Sequence, residues 1–158
     1  DLAMIAMSYE NVYVAQIAYG AKDVQTLRAF MEAESYPGVS LIIAYSPCIA
    51  WGNDMANNHR MQDAAVRSGH FPLFRYDPRK LATEENPLSL DSKAPNLAYR
   101  EFEGKETRFS MLWRSHPEEA EKMLGESQQR ARDHFDHYQQ LAGLSYKHQQ
   151  DKQDKGEK

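Results

Sequence analysis

A single cysteine, Cys48, closes the apolar run in "GVSLIIAYSPCIAWGND", residues 38 to 54. It stands just past Pro47, at the mouth of a strand-like segment, with Gly52 a turn later. One thiol cannot form an internal disulfide, and one thiolate does not make a metal site. Cys48 is therefore either a small apolar core filler or a group whose partners lie outside these residues. Its position gives the second reading physical content, because ligands of open α/β sheets gather beyond the carboxyl ends of the strands.

Other candidate groups are weaker. "DHFDH", residues 133 to 137, sets His134 and His137 three apart with two aspartates alongside, but no clear third ligand exists elsewhere, so a solvated helix face is expected. "FRYDPRK" interleaves aromatics with Arg75, Arg79 and Lys80, a pattern that can bind single strands. In an acidic chain the expected arrangement is aromatics into a sheet and charges into water. No two glycines lie closer than Gly143 and Gly156, which excludes both the dinucleotide fingerprint and the P-loop. There is no H-E-x-x-H and no G-x-S-x-G. No residue earns a catalytic role; His70 and Arg75 are expected to be structural.

The elements that must position Cys48 follow from periodicity. "DLAMIAMS" has helical tendency, with Asp1 as a cap and Leu2, Ile5 and Ala6 on one face. Residues 12 to 20, "VYVAQIAYG", are apolar on both faces apart from Gln16, the pattern of a buried parallel strand stopped by Gly20. Asp23 can cap a helix in which Val24, Leu27, Phe30 and Met31 recur at helical spacing. "YPG" turns the chain into a second strand, Val39 to Tyr45, and the Cys48 loop follows.

Asn57 or Asn58 caps a third helix with Met61, Ala64 and Ala65 inward, and Gly69 falls at a left-handed C-cap. "FPLFRY", residues 71 to 76, is a short strand that starts late or lies toward an edge because of Pro72. Alternating strands and helices predict an α/β fold with a parallel sheet over residues 1–80. Residues 81–98, rich in proline and polar groups, are expected to be an extended surface segment.

Helix resumes near Tyr99, giving a helical C-terminal extension over residues 99–144. Ser115 and Glu118 have capping-box spacing, with Pro117 in the first turn. Ala120, Leu124, Ala131, Phe135, Tyr138 and Leu141 form a long apolar stripe that a second subunit or the chain's own α/β layer could cover. Residues 145–158 are expected to be a disordered tail.

The chain has 158 residues, enough for one sizeable core. Its net charge of −4 argues against nucleic acid or an acidic membrane as the main partner. No run is long and apolar enough for a membrane helix. A start lacking Met and a basic flank is expected to mark a cut, processed or internal beginning. With one cysteine, a reducing cytoplasm is the default compartment.

Three long strings carry a resemblance: "PGVSLIIAYSPCI", "SGHFPLFRYDPR" and "LDSKAP", with a weaker continuation in "RFSMLWRSHPEEAEKML". Through them the chain closely resembles the C-terminal region of the pyruvate:ferredoxin (flavodoxin) oxidoreductases, within the 2-oxoacid:ferredoxin oxidoreductase family. The resemblance implies oxidative decarboxylation of pyruvate with coenzyme A to acetyl-CoA and CO2. It also implies thiamine diphosphate with Mg²⁺, [4Fe–4S] clusters that pass electrons to ferredoxin or flavodoxin, and a homodimer or other homo-oligomer.

On that likeness, residues 1–80 are the later half of a thiamine-diphosphate-binding domain. The Mg²⁺–pyrophosphate motif would lie before Asp1, in the remainder of the parent polypeptide, so this segment alone is expected to be inactive. Cys48 is similar in position to the remote ligand of the cluster nearest thiamine diphosphate. Where many relatives carry a polar residue such as His after "CIA", this sequence has Trp51. The alternative from another class is a stand-alone α/β assembly or docking module without catalysis.

Overall fold

The computed structural model describes residues 1–146; the tail expectation falls almost wholly on residues outside these. Helix α1 (Leu2–Met7) begins on Asp1, whose carboxylate accepts the amides of Ala3 and Met4. Strand β1 (Val12–Ile17) follows, then α2 (Asp23–Ser35) and β2 (Val39–Ala44). The Cys48 loop, broken by two short 3-10 turns, leads to α3 (Asn58–Arg67). Strands β3 (Phe74–Tyr76) and β4 (Leu88–Leu90) precede α4 (Tyr99–Glu103), α5 (Thr107–Ser115) and the long α6 (Pro117–Ala142).

The α/β class is as expected, but the sheet is mixed rather than parallel. Its order is β2-β1-β3-β4; β1 and β2 are parallel, while β3 runs antiparallel to both β1 and β4. The reason lies in α3. A parallel continuation needs a crossover helix on the sheet, and α3 instead buries Met61, Ala64 and Ala65 against Tyr99, Phe102, Leu124 and Ala131, in a separate helical cluster. Gly69, at φ +79°, turns the chain where an added Cβ would strike Pro95. With no crossover, the chain re-enters the sheet from the carboxyl ends of β1 and β2, and β3 must oppose them. Pro72 is buried just before this strand, which starts late yet sits between β1 and β4. The segment expected to lie extended on the surface contributes β4, with Pro87 fully buried.

Each face of the sheet carries its own core. Val14, Phe74, Tyr76 and Leu88 pack with α1 and with Tyr138 of α6 on one side. Tyr13, Ala15 and Ile17 pack with Ala29 of α2 on the other. The α6 stripe behaves as its spacing requires: Ala120, Leu124, Ala131, Phe135 and Tyr138 are buried, all within this chain. The capping box does not form, because Ser115 still belongs to α5 and its hydroxyl donates to the Met111 carbonyl.

Two apolar stripes point the wrong way for a self-contained fold. On α1, Leu2 and Ile5 are exposed while Ala3, Ala6 and Met7 go inward. On α2, Val24, Leu27, Phe30 and Met31 are all more than half exposed, and the buried residues are Gln25, Thr26 and Ala29. A polar clamp beneath α2 explains the inversion. Arg75 of β3 is buried, pairs with Glu32 of α2 and holds Asp91 through Nε at 2.8 Å. Gln25 donates to Asp91 and to the Gln16 carbonyl, and the Tyr13 hydroxyl donates to Glu32 at 3.0 Å. The expectation that Arg75 faces water is overturned: alternation in β3 sends Phe74 and Tyr76 to one face and Arg75 to the other, which is also covered.

Candidate functional site

Strand β2 ends at Ala44, and backbone pairing persists one residue further, with the Tyr45 amide donating to the Ile17 carbonyl at 3.0 Å. Pro47 is buried and anchors the loop. Cys48, immediately after it, is free and exposed. Within the described residues the thiol is therefore not part of a core. Residues Ile49–Trp51 form a single 3-10 turn that Cys48 itself precedes. Gly52 closes the turn at φ +78°, a left-handed conformation that side chains disfavour. A Cβ there would also lie 2.5 Å from the Thr107 Cβ, so the loop touches α5 at a point only glycine fits.

Helix α5 supplies the opposing wall. The Thr107 hydroxyl donates to the Gly52 carbonyl at 2.9 Å, and the Arg108 guanidinium lies 4.6 Å from the centre of the Trp51 ring. Ala50, Trp51, Gly52, Thr107, Arg108 and Met111 line an open basin of about 510 Å³. Ile49 is 71% exposed and Trp51 44%, so the loop presents apolar surface beside the thiol.

Behind this surface lies a buried polar cluster. Glu106 is fully buried; one carboxylate oxygen lies 3.5 Å from the Tyr45 hydroxyl and the other has no partner. Burial raises the Glu106 carboxyl above its ordinary range, and burial together with Glu106 raises Glu103. His70 meets the Tyr99 hydroxyl at 2.8 Å, and burial, with a smaller contribution from His134, lowers its pKa below the ordinary imidazole value. Burial pushes the Tyr99 hydroxyl up to about 12. Asn53 is buried with both side-chain polar atoms unpartnered.

The two weaker candidates resolve into structure. His134 and the Tyr138 hydroxyl both bind the Asp1 carboxylate, at 2.7 and 2.8 Å, which ties α6 to α1, while His137 is exposed. Arg79 forks onto Asp77, and Lys80 donates to the Ser89 hydroxyl. Among the described residues no three His, Cys, Asp or Glu side chains converge on a metal position. Sequence reasoning missed Thr107, Arg108, Glu106 and Asn53. Only Gly52, a glycine one turn after the thiol, hinted that something approaches the loop closely.

Comparison with known proteins decides what this geometry belongs to. The chain is 49% identical over 142 residues to the pyruvate-flavodoxin oxidoreductase of Trichormus variabilis, which covers 90% of this chain and 12% of that protein. It is 43% identical over 145 residues to the Klebsiella pneumoniae pyruvate-flavodoxin oxidoreductase, and 42% over 142 residues to the pyruvate:ferredoxin oxidoreductase of Moorella thermoacetica, again 90% of this chain and 12% of each relative. Over about 90% of its length the chain is similar to proteins named pyruvate-flavodoxin or pyruvate:ferredoxin oxidoreductase. It matches a C-terminal region of these oxidoreductases and spans about 12% of their length. No family model matches it. The site shows one exposed thiol on a braced loop. Among the described residues no helix is long and apolar enough to cross a membrane.

Proposed function

We propose that this chain is the C-terminal part of a thiamine-diphosphate-dependent enzyme that decarboxylates pyruvate oxidatively with coenzyme A, and that it lends Cys48 to a [4Fe–4S] cluster. The observation that carries the reading is the exposed Cys48 thiol at the carboxyl end of a sheet strand, outside any cluster of three or more metal-ligating side chains among the described residues. A [4Fe–4S] cluster takes four cysteine thiolates, so a single one fits a corner whose remaining ligands come from elsewhere in the polypeptide.

The donor set suits such a group. Cys48 would hold it, and when bound it supplies one-electron transfer toward flavodoxin or ferredoxin. The residues of this chain do the positioning. Pro47 and the Gly52–Thr107 contact fix the loop, Ile49 and Trp51 present apolar surface beside it, and Arg108 adds a positive charge at the same wall. Burial and nearby charge are levers on a cluster potential. Mg²⁺, thiamine diphosphate, pyruvate and coenzyme A would be bound mostly by the remainder of the enzyme, in a cytoplasmic homo-oligomer.

The test is electron paramagnetic resonance of the anaerobically reduced full-length enzyme, wild type beside Cys48→Ser. Loss or conversion of one cluster signal, with the others kept, is expected. Identical spectra, with unchanged iron content, would overturn the ligand role.

A further inference from the structure

Glu106 is the most deeply buried acid among the described residues, only 1% exposed. It stands just before α5, and the next residue, Thr107, is the one whose hydroxyl donates to the Gly52 carbonyl at the far end of the Cys48 loop. At the near end of the loop, the Tyr45 hydroxyl donates to a Glu106 oxygen at 3.5 Å. Glu106 and Thr107 together therefore meet the loop at its entry and at its exit. Between those points the loop makes one local turn, in which the Trp51 amide donates to the Cys48 carbonyl and the Gly52 amide to the Ile49 carbonyl.

The second Glu106 oxygen has no partner, and Asn53, which follows Gly52, is buried with both side-chain polar atoms unpartnered. An ionised carboxylate left there would be a buried charge without a bonded cation, far more costly than the neutral acid. The groups that face Glu106 are Tyr45 from the end of β2, Tyr99 and Glu103 from α4, and Arg108 from α5. His70, after α3, packs on the rings of Tyr45 and Tyr99. Arg108 is the one permanent cation of this set, and its side chain is exposed over Trp51. Burial raises the Glu106 carboxyl, while Tyr45 and Arg108 pull it back in part.

We propose that Glu106 is the positioning residue of the Cys48 loop, latching α5 onto it when protonated and releasing it when ionised. The proton leaves to solvent, the carboxylate turns toward water, and the first turn of α5 carries Thr107 off Gly52. The latch rests on the loop geometry and not on Cys48 as a cluster ligand. Because burial raises the carboxyl in the closed state, the latch is intact below the ordinary glutamate range and weakens as pH rises toward the raised value. Between those limits one proton is lost on opening, so opening grows by up to about tenfold per pH unit, and it flattens beyond the raised value.

The test is hydrogen exchange of the full-length enzyme from about pH 5 to about pH 9, read in the peptide that holds Trp51 and Gly52 and corrected for the chemical rate. Wild type is expected to show the rise, with the amides of β1 unchanged as a reference. Glu106→Gln keeps the shape of the side chain but cannot ionise, and its loop is expected to be independent of pH. Arg108→Gln alters an exposed side chain and removes the nearby cation, so its rise is expected to continue to higher pH than in wild type. A rise that survives in Glu106→Gln would belong to His70, Glu103 or another group and would overturn the proposal. A flat wild-type profile would overturn it as well. Should Glu106→Gln fail to fold, an Arg108→Gln profile that flattens at the wild-type pH would do the same. None of these readouts uses the cluster, so a failed ligand assignment and a failed latch are told apart.

Discussion

The two edges of the sheet end differently. At the β4 edge, α6 lies across the strand, Tyr138 stacks on Phe74 with ring centres 4.4 Å apart, and Asn86 donates to the carbonyls of Leu141 and Leu144. At the β2 edge nothing among the described residues covers the strand, and the adjoining helix turns its apolar residues outward. The same polypeptide thus builds one finished side and one unfinished side. The finished side is held by aromatic stacking and apolar burial; under α2 the attachment is an ion-pair clamp. Shape alone does not explain that contrast, since both sides start from apolar strands. What differs is whether a described element of this chain lies over the strand.

The contrast can be broken most severely on the finished side. Tyr138→Ala removes a fully buried ring from between α6 and the sheet, and should cost about 4 kcal/mol in denaturant unfolding of the chain. A loss below about 1 kcal/mol would mean that α6 is not what closes this edge. Beneath α2, Arg75→Met leaves Glu32 and Asp91 as unpaired, poorly solvated carboxylates, and about 3 kcal/mol should be lost. The smallest effect sharpens the comparison: Leu27→Ser on the outward stripe should change stability of the isolated chain by no more than about 0.5 kcal/mol. In the full-length enzyme the same substitution should cost several times as much.

How much of this was legible beforehand differs by element. Strands β1 and β2, helix α3 and the buried stripe of α6 follow from periodicity, because there the local pattern and the final packing agree. The direction of β3 was not legible. It depends on α3 packing onto α4 and α6 instead of the sheet, a long-range choice that no local pattern encodes. The α2 stripe has correct helical spacing but faces away from this core, since periodicity reports that a face is apolar and not what covers it. Arg75 was misplaced for a related reason: its partners Glu32 and Asp91 are distant in sequence, and an arginine between aromatics looks solvated until both are seen. At the candidate site, Cys48 and Gly52 stood out by type and spacing. Thr107, Arg108 and Glu106 did not, because only tertiary folding brings α5 to the loop.

The most direct test of an unfinished β2 side is amide hydrogen exchange at Ser40, Ile42 and Ala44, measured in the isolated chain and in the full-length enzyme. Fast exchange in the chain and strong protection in the full-length enzyme is the expected result, with the amides of Leu88–Leu90 behaving alike in both. Equal exchange of the three β2 amides in the two proteins would contradict the account.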